Sequence, residues 1–199
     1  MQTLHKQYLL KQQVIEQRLQ DFSRRSEEDI FYELCFCLLT PQSKGKMCWE
    51  RVALLKKRNF KERPINPHHS IHDLRFHNHK NQYLLAAKRQ FPLILKKISK
   101  EKDAALLREW LVNTIKGYGY KEASHFLRNI GYRNLAILDR HILRNLVRHK
   151  IIPEIQKTLT RKHYLDIEQK FQQFAQQIGI SMDALDLLFW SNETGEIFK

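Results

Sequence analysis

Ile115-Lys116-Gly117-Tyr118-Gly119-Tyr120-Lys121-Glu122-Ala123-Ser124 is the stretch of this chain best suited to chemistry. Two glycines one residue apart separate one leucine-rich helical pattern from the next, which runs to Gly131. Glycine at both positions permits a positive φ and a tight turn, and leaves no Cβ in the way of a close ligand. The N–H groups of Gly117 and Gly119 and the start of the following helix then converge on one point. Such a point is an anion site, and on a basic protein its natural occupant is a phosphate. Lys121 falls on the first turn of that helix. Eighteen residues later Asp139 opens another, in Ala136-Ile137-Leu138-Asp139-Arg140-His141-Ile142.

The balance of charge agrees with a polyanionic partner. Thirty-five Lys and Arg against 21 Asp and Glu give a formal charge of +14, an excess that attracts nucleic acid. On charge alone, a merely soluble basic protein stays open as the alternative. With 199 residues, 42% hydrophobic and 28% charged, the chain is long enough to bury a core without staples. No run of about 20 apolar residues occurs, so no membrane span is expected. Met1-Gln2-Thr3-Leu4-His5-Lys6 lacks an apolar signal core, which predicts a cytoplasmic, intracellular protein. Cys35, Cys37 and Cys48 make no disulfide framework and suit a reducing compartment.

GxG followed at once by Lys, a helix, and then a hydrophobic-hydrophobic-Asp-x-His run resembles the helix-hairpin-helix DNA glycosylases. The closer wording, IKGYGYKEASHFLRNIG and then LAILDRHIL, is similar to the type-2 8-oxoguanine DNA glycosylase/AP lyase family, as is LDLLFWSNETGEIFK ending on Lys199. The resemblance runs from about residue 27 onward and is most specific in 113–146 and 183–199. It implies a single all-α domain over 1–199, built as two helical lobes with the hairpin motif at about 106–131 and the active-site cleft between the lobes. It also implies Lys121 as the nucleophile and Asp139 as its essential partner. Gln42 and Ser43 would face the DNA near the flipped base; a plain interhelical turn is the alternative. Trp190 would stack on the base, and Lys199 would discriminate 8-oxoguanine from guanine. The implied partner is double-stranded DNA containing 8-oxoguanine, bound by a monomer. No cofactor is required, although in this superfamily a monovalent cation often bridges at the hairpin. No cysteine follows Cys48, so no C-terminal iron–sulfur cluster is expected. The chain is also too short for the extra β-domain of larger 8-oxoguanine glycosylases.

The chemistry follows from residue types. An amine must be neutral to attack, and burial, neighbouring cations and a helix N-terminus favour the neutral form. Attack at C1′ expels the base, the adduct opens to a Schiff base, and β-elimination cuts the strand. An activated water cannot form a Schiff base, so Lys121 argues for lyase activity as well as base removal. Asp139 would stabilise the oxocarbenium-like sugar and orient Lys121, and it can also cap its own helix. Lys116, Gly117, Gly119, Arg140, Arg144 and Arg148 are candidates for phosphate contacts; for the charged ones a solvated face is the alternative. A glycosylase for another oxidised base and a non-catalytic DNA-binding module are the competing readings.

These residues need helices to position them. Periodicity and caps predict helices over 3–22, 27–39 after Ser26, about 44–57 capped by Ser43, 80–90 interrupted near Pro92, one begun by Asp103, 139–149, one from Thr158-Leu159-Thr160 to Gly179, and one from Ser181 to Gly195. Residues 58–70 read as a loop around Pro64 and Pro67. Five histidines then fall within 68–79, with His72 and Phe76 placed on one helix face. That cluster reads as a phosphate-facing loop rather than a metal site, because it lacks HExxH and a second carboxylate. Cys35 and Cys37 read as packing residues.

Overall fold

A computed structural model describes residues 2–199, with side chains from Leu4 onward. Among these residues there is no strand. The helices are α1 (Gln2–Ser23), α2 (Glu27–Leu39), α3 (Gly45–Lys57), α4 (His68–Ile71), α5 (His77–Lys100), α6 (Ala104–Thr114), α7 (Tyr120–Asn129), α8 (Arg140–Arg148), α9 (Arg161–Ile178) and α10 (Met182–Thr194). The all-α reading stands. The chain divides into two compact units, Arg25–Phe126 and a second made of the residues up to Arg24 with Leu127–Lys199.

In Arg25–Phe126 the organising element is α2. Ser26 Oγ accepts from the Asp29 N–H at 3.1 Å, and the Asp29 carboxylate accepts from the Ser26 N–H at 3.3 Å. This reciprocal cap satisfies two orphan donors. Phe31 through Leu39 are then all buried. The helix packs on α3 and α5, with the Phe31 ring 5.0 Å from Phe91 and 5.9 Å from Phe60. Cys35, Cys37 and Cys48 are buried and form no disulfide.

α5 departs from the sequence reading. It runs unbroken through Pro92 to Lys100. Proline removes one bond to the Lys88 carbonyl and costs about 3 kcal/mol inside a helix. Burial of Leu84, Phe91 and Ile94 on either side of it returns roughly 1.5–3 kcal/mol each, so the helix continues. The predicted 58–70 loop gives way to α4 at His68, and Phe76 at φ 60 breaks the chain before α5 begins. His72 and Phe76 therefore do not share a helix face. α6 starts as predicted, with the Asp103 carboxylate accepting from the Ala105 and Leu106 N–H groups at 2.8 and 2.9 Å.

In the second unit α10 is central. Met182 through Phe189 are buried, and the helix packs on α1, α8 and α9. Ser181 Oγ accepts from the Ala184 N–H at 3.2 Å, and Gly195 ends the helix at φ 84. Thr160 caps α9 and Gly179 closes it at φ 66. From the last turn of α7, buried Arg128 donates to Asp186 Oδ2 at 3.0 Å, and its guanidinium lies over the Phe22 ring. Lys11 of α1 donates to Ser191 Oγ at 3.0 Å and Asn192 Oδ1 at 2.9 Å.

Candidate active site

The hairpin between α6 and α7 is fixed by its own aromatic residues. Tyr118 is buried and donates its hydroxyl to the Leu34 carbonyl at 3.2 Å. Tyr120 donates to Glu109 Oε2 at 2.6 Å and lies under the Arg108 guanidinium, which also donates to Ser124 Oγ. Within the loop the Tyr118 N–H donates to the Ile115 carbonyl at 3.1 Å, closing a turn in which Gly117 has φ 96. A Cβ at Gly117 would stand 2.4 Å from Tyr83 Cδ2. Glycine is therefore required there by both backbone and space. Gly119 differs from the expectation, since its φ is not in the left-handed region. Its bare Cα instead makes room for the Glu122 carboxylate, 3.2 Å from where a Cβ would be.

Glu122 is a residue the sequence reading passes over. Its Oε2 accepts from the Gly119 N–H at 3.2 Å, and its Oε1 lies 3.4 Å from Lys121 Nζ. This is the returning half of a capping box whose first residue has no side chain to complete it. One donor of the predicted anion site is thus held by a carboxylate, and a phosphate reaching that amide has to displace it. The Lys121 side chain is 24% exposed, so its amine remains reachable. The readable signal was an acid three residues past Gly119.

Gln42 and Ser43 lie in the turn after α2. The Ser43 N–H donates to the Thr40 carbonyl at 3.1 Å, and Gln42 is held at φ 53, which costs a non-glycine residue about 1–2 kcal/mol. Ser43 does not cap α3 as predicted. Lys44 takes that position without a side-chain cap, and the Ser43 hydroxyl accepts from Lys80 Nζ at 2.8 Å. Lys80 also donates to the Pro41 carbonyl at 3.0 Å and is only 3% exposed. Burial pushes its ammonium below the usual lysine value, and the charge of Lys121 pushes the same way. A pocket of about 370 Å³ is lined here by Leu38, Pro41, Phe76, Lys80, Tyr83 and Gly117. The turn, α5 and the hairpin thus surround one space. Cys48, pushed up to about 11 chiefly by burial, is a thiol at neutral pH and donates to the Leu39 carbonyl. Lys80 was also missed; its signal was register, for Lys80, Leu84, Ala87, Phe91 and Ile94 lie on one face of α5.

Asp139, Arg140, Trp190 and Lys199 belong to the other unit. Asp139 Oδ1 accepts from the Ile142 N–H at 2.8 Å, so it caps α8 and leaves Oδ2 for other work. Arg140 and Arg144 point outward while Ile142, Leu143 and Leu146 are buried. Arg148 is exposed too, but pairs with Glu193 at 3.2 Å. The Trp190 ring stacks on Phe198, 6.3 Å between centroids, and meets His141 edge-on at 6.5 Å. Lys199 is buried, not a frayed end. Burial pushes the Asp186 carboxyl up to about 7 against the pull of Arg128, with Asp139 and Asp183 adding to the rise. Among the described residues no three His, Cys, Asp or Glu side chains form a metal-binding group. His68 instead bonds Asn78 at 3.1 Å and packs edge-on against His77.

A family model described as 8-oxoguanine DNA glycosylase matches residues 15–180. The chain is similar to an 8-oxoguanine DNA glycosylase/AP lyase of Fusobacterium nucleatum, with 43% identity over 195 residues covering 92% of this chain and 90% of that protein. Its namesake in Korarchaeum cryptofilum is 37% identical over 195 residues, covering 94% and 91%. The fold is similar to the crystal structure of the Methanocaldococcus jannaschii 8-oxoguanine glycosylase/lyase in complex with a 15mer DNA containing 8-oxoguanine. That match has a TM-score of 0.90 and 34% identity, and covers 100% of both chains. The family model covers more than half of this chain and the relatives are matched over nearly their whole length, so the chain belongs to the 8-oxoguanine DNA glycosylase family.

Proposed function

We propose that this protein excises 8-oxoguanine from double-stranded DNA and then cuts the strand 3′ to the abasic site. The observation that carries the reading is the full-length likeness to glycosylase/lyases, one of them solved on DNA containing the lesion. Lys121 is the nucleophile. Its neutral amine attacks C1′, and the glycosidic electron pair leaves with the base, which takes up a proton. The amine–sugar adduct loses a proton and opens to a Schiff base; removal of a C2′ proton then expels the 3′ phosphate. Asp139 stabilises the positive charge on the sugar and orients the attacking amine. Its Oδ2, which caps nothing, supports that role.

The base leaves the stack to be reached. Trp190 offers it a ring face, and Lys199 discriminates the lesion at N7–H, a donor that guanine lacks. Gln42 and Ser43 face the DNA beside the vacated position. Lys116, the amides of Gly117 and Gly119, and Arg140 hold phosphates. A monovalent cation suits the hairpin as well: carbonyl oxygens are its ligands, and those of Lys116 and Gly117 accept no backbone hydrogen bond among the described residues.

Single-turnover assays on duplexes carrying 8-oxoguanine, guanine or an oxidised pyrimidine test the reading. The native protein releases 8-oxoguanine and nicks that strand, Lys121→Gln does neither, and deletion of Lys199 loses the preference. Faster release of the oxidised pyrimidine supports the other-lesion reading, and binding without any base release supports the binding module.

A further inference from the structure

Glu122 joins two parts of the hairpin that have different work. Its Oε2 accepts from the Gly119 N–H at 3.2 Å, while its Oε1 lies 3.4 Å from Lys121 Nζ. Both oxygens belong to one carboxylate, so a single rotation of the side chain breaks both contacts. The hairpin does not depend on them for its shape. Tyr118 ties it to the Leu34 carbonyl, Tyr120 ties it to Glu109, and the Ala123 N–H donates to the Gly119 carbonyl at 3.0 Å. What the carboxylate does instead is occupy a backbone amide at a helix start, the place a phosphate oxygen takes. A carboxylate and a phosphate repel at that distance, and one N–H cannot serve both.

We propose that Glu122 stands in for a DNA phosphate at the hairpin of the DNA-free protein, and that the arriving phosphate displaces it and by the same movement releases Lys121. The inference rests on the reading of the hairpin as a phosphate site and of Lys121 as nucleophile. Capture of the strand and release of the amine from its ion pair are then one event. Glu122 competes with DNA for the hairpin and takes no part in the bond-breaking steps. Its removal therefore tightens binding without slowing the chemistry, the reverse of what the loss of a catalytic group does.

The test is single-turnover cleavage of a duplex with a pre-formed abasic site over a range of protein concentrations, which separates half-saturation from the limiting rate. Glu122→Ala reaches half-saturation at about fivefold less protein, the worth of one helix-capping contact, with a limiting rate within about twofold of the wild type. Glu122→Gln keeps an acceptor for the amide without the charge and falls between the two. Glu62→Gln removes the same charge from an exposed acid paired with Lys61 and leaves half-saturation in place. Equal tightening in Glu62→Gln makes the effect one of net charge and overturns the inference. A fallen limiting rate in folded Glu122→Ala places Glu122 in the chemistry and overturns it as well. A role as helix cap alone lowers the melting temperature of Glu122→Ala and leaves half-saturation unchanged or higher, which also overturns it. A wild type that leaves the abasic strand uncut overturns the nucleophile reading and this inference with it.

Discussion

Replacing Gly117 with alanine isolates what the hairpin demands of its first glycine. At φ 96 the new side chain sits in the left-handed region, a cost of about 1–2 kcal/mol. Its Cβ would lie 2.4 Å from Tyr83 Cδ2 and 2.9 Å from both Cε2 and Cγ. Either the ring or the hairpin must shift, and such overpacking costs about 1–3 kcal/mol. The total is about 2–5 kcal/mol, and for a chain of this size the melting temperature should fall by roughly 10 °C. Gly119→Ala is the control. Its φ is ordinary and its tight neighbour is the flexible end of Glu122, so it should lose less than about 1 kcal/mol. Calorimetry on Gly117→Ala, Tyr83→Ala and the double variant separates the two costs. In the Tyr83→Ala background the added loss from Gly117→Ala should shrink to the backbone share of about 1–2 kcal/mol. The reasoning fails if Gly117→Ala melts no lower than Gly119→Ala, or if its cost is unchanged without the Tyr83 ring.

Asp186 carries a pH dependence. Its folded pKa of about 7 lies above the unfolded carboxylate value, so its contribution is fully present below about pH 4 and is lost as pH rises through 7. Melting temperatures of Asp186→Asn followed over that window should slope less than those of the wild type; parallel curves would contradict the burial argument. On α8, Arg144→Ala should lower the salt dependence of binding to undamaged duplex by about one released counterion. Arg148→Ala, whose charge is already paired with Glu193, should lower it by less, and an equal loss in titrations at several salt concentrations would argue against that pairing.

The parts of the fold legible in the sequence were those governed by local backbone chemistry. Ser26 with Asp29, Asp103, Asp139, Thr160 with Gly179, and Ser181 with Gly195 each mark a helix end by a bond made within a few residues. What escaped depends on partners distant in the chain. Pro92 reads as an interruption until the buried face of α5 is known, and Ser43 reads as a cap until Lys80 arrives from 37 positions away to claim its hydroxyl. Phe76 in the left-handed region has no local signature at all. In the candidate site, the GxG spacing identified the hairpin, but it treated the two glycines as equivalent. Gly117 is bare because of Tyr83, and Gly119 because of Glu122. Lys80 sits amid histidines and polar residues, where composition suggests solvent, and only its heptad-like register pointed inward.

The central claim is that the Lys121 amine itself becomes bonded to the sugar. Borohydride reduction during the reaction with an 8-oxoguanine duplex, followed by proteolysis and mass spectrometry of the cross-linked peptide, reads this directly. The account predicts one adduct, on the peptide containing Lys121, and none from Lys121→Gln. An adduct carried by Lys116, Lys80 or the N-terminal amine, with Lys121 unmodified, would contradict it.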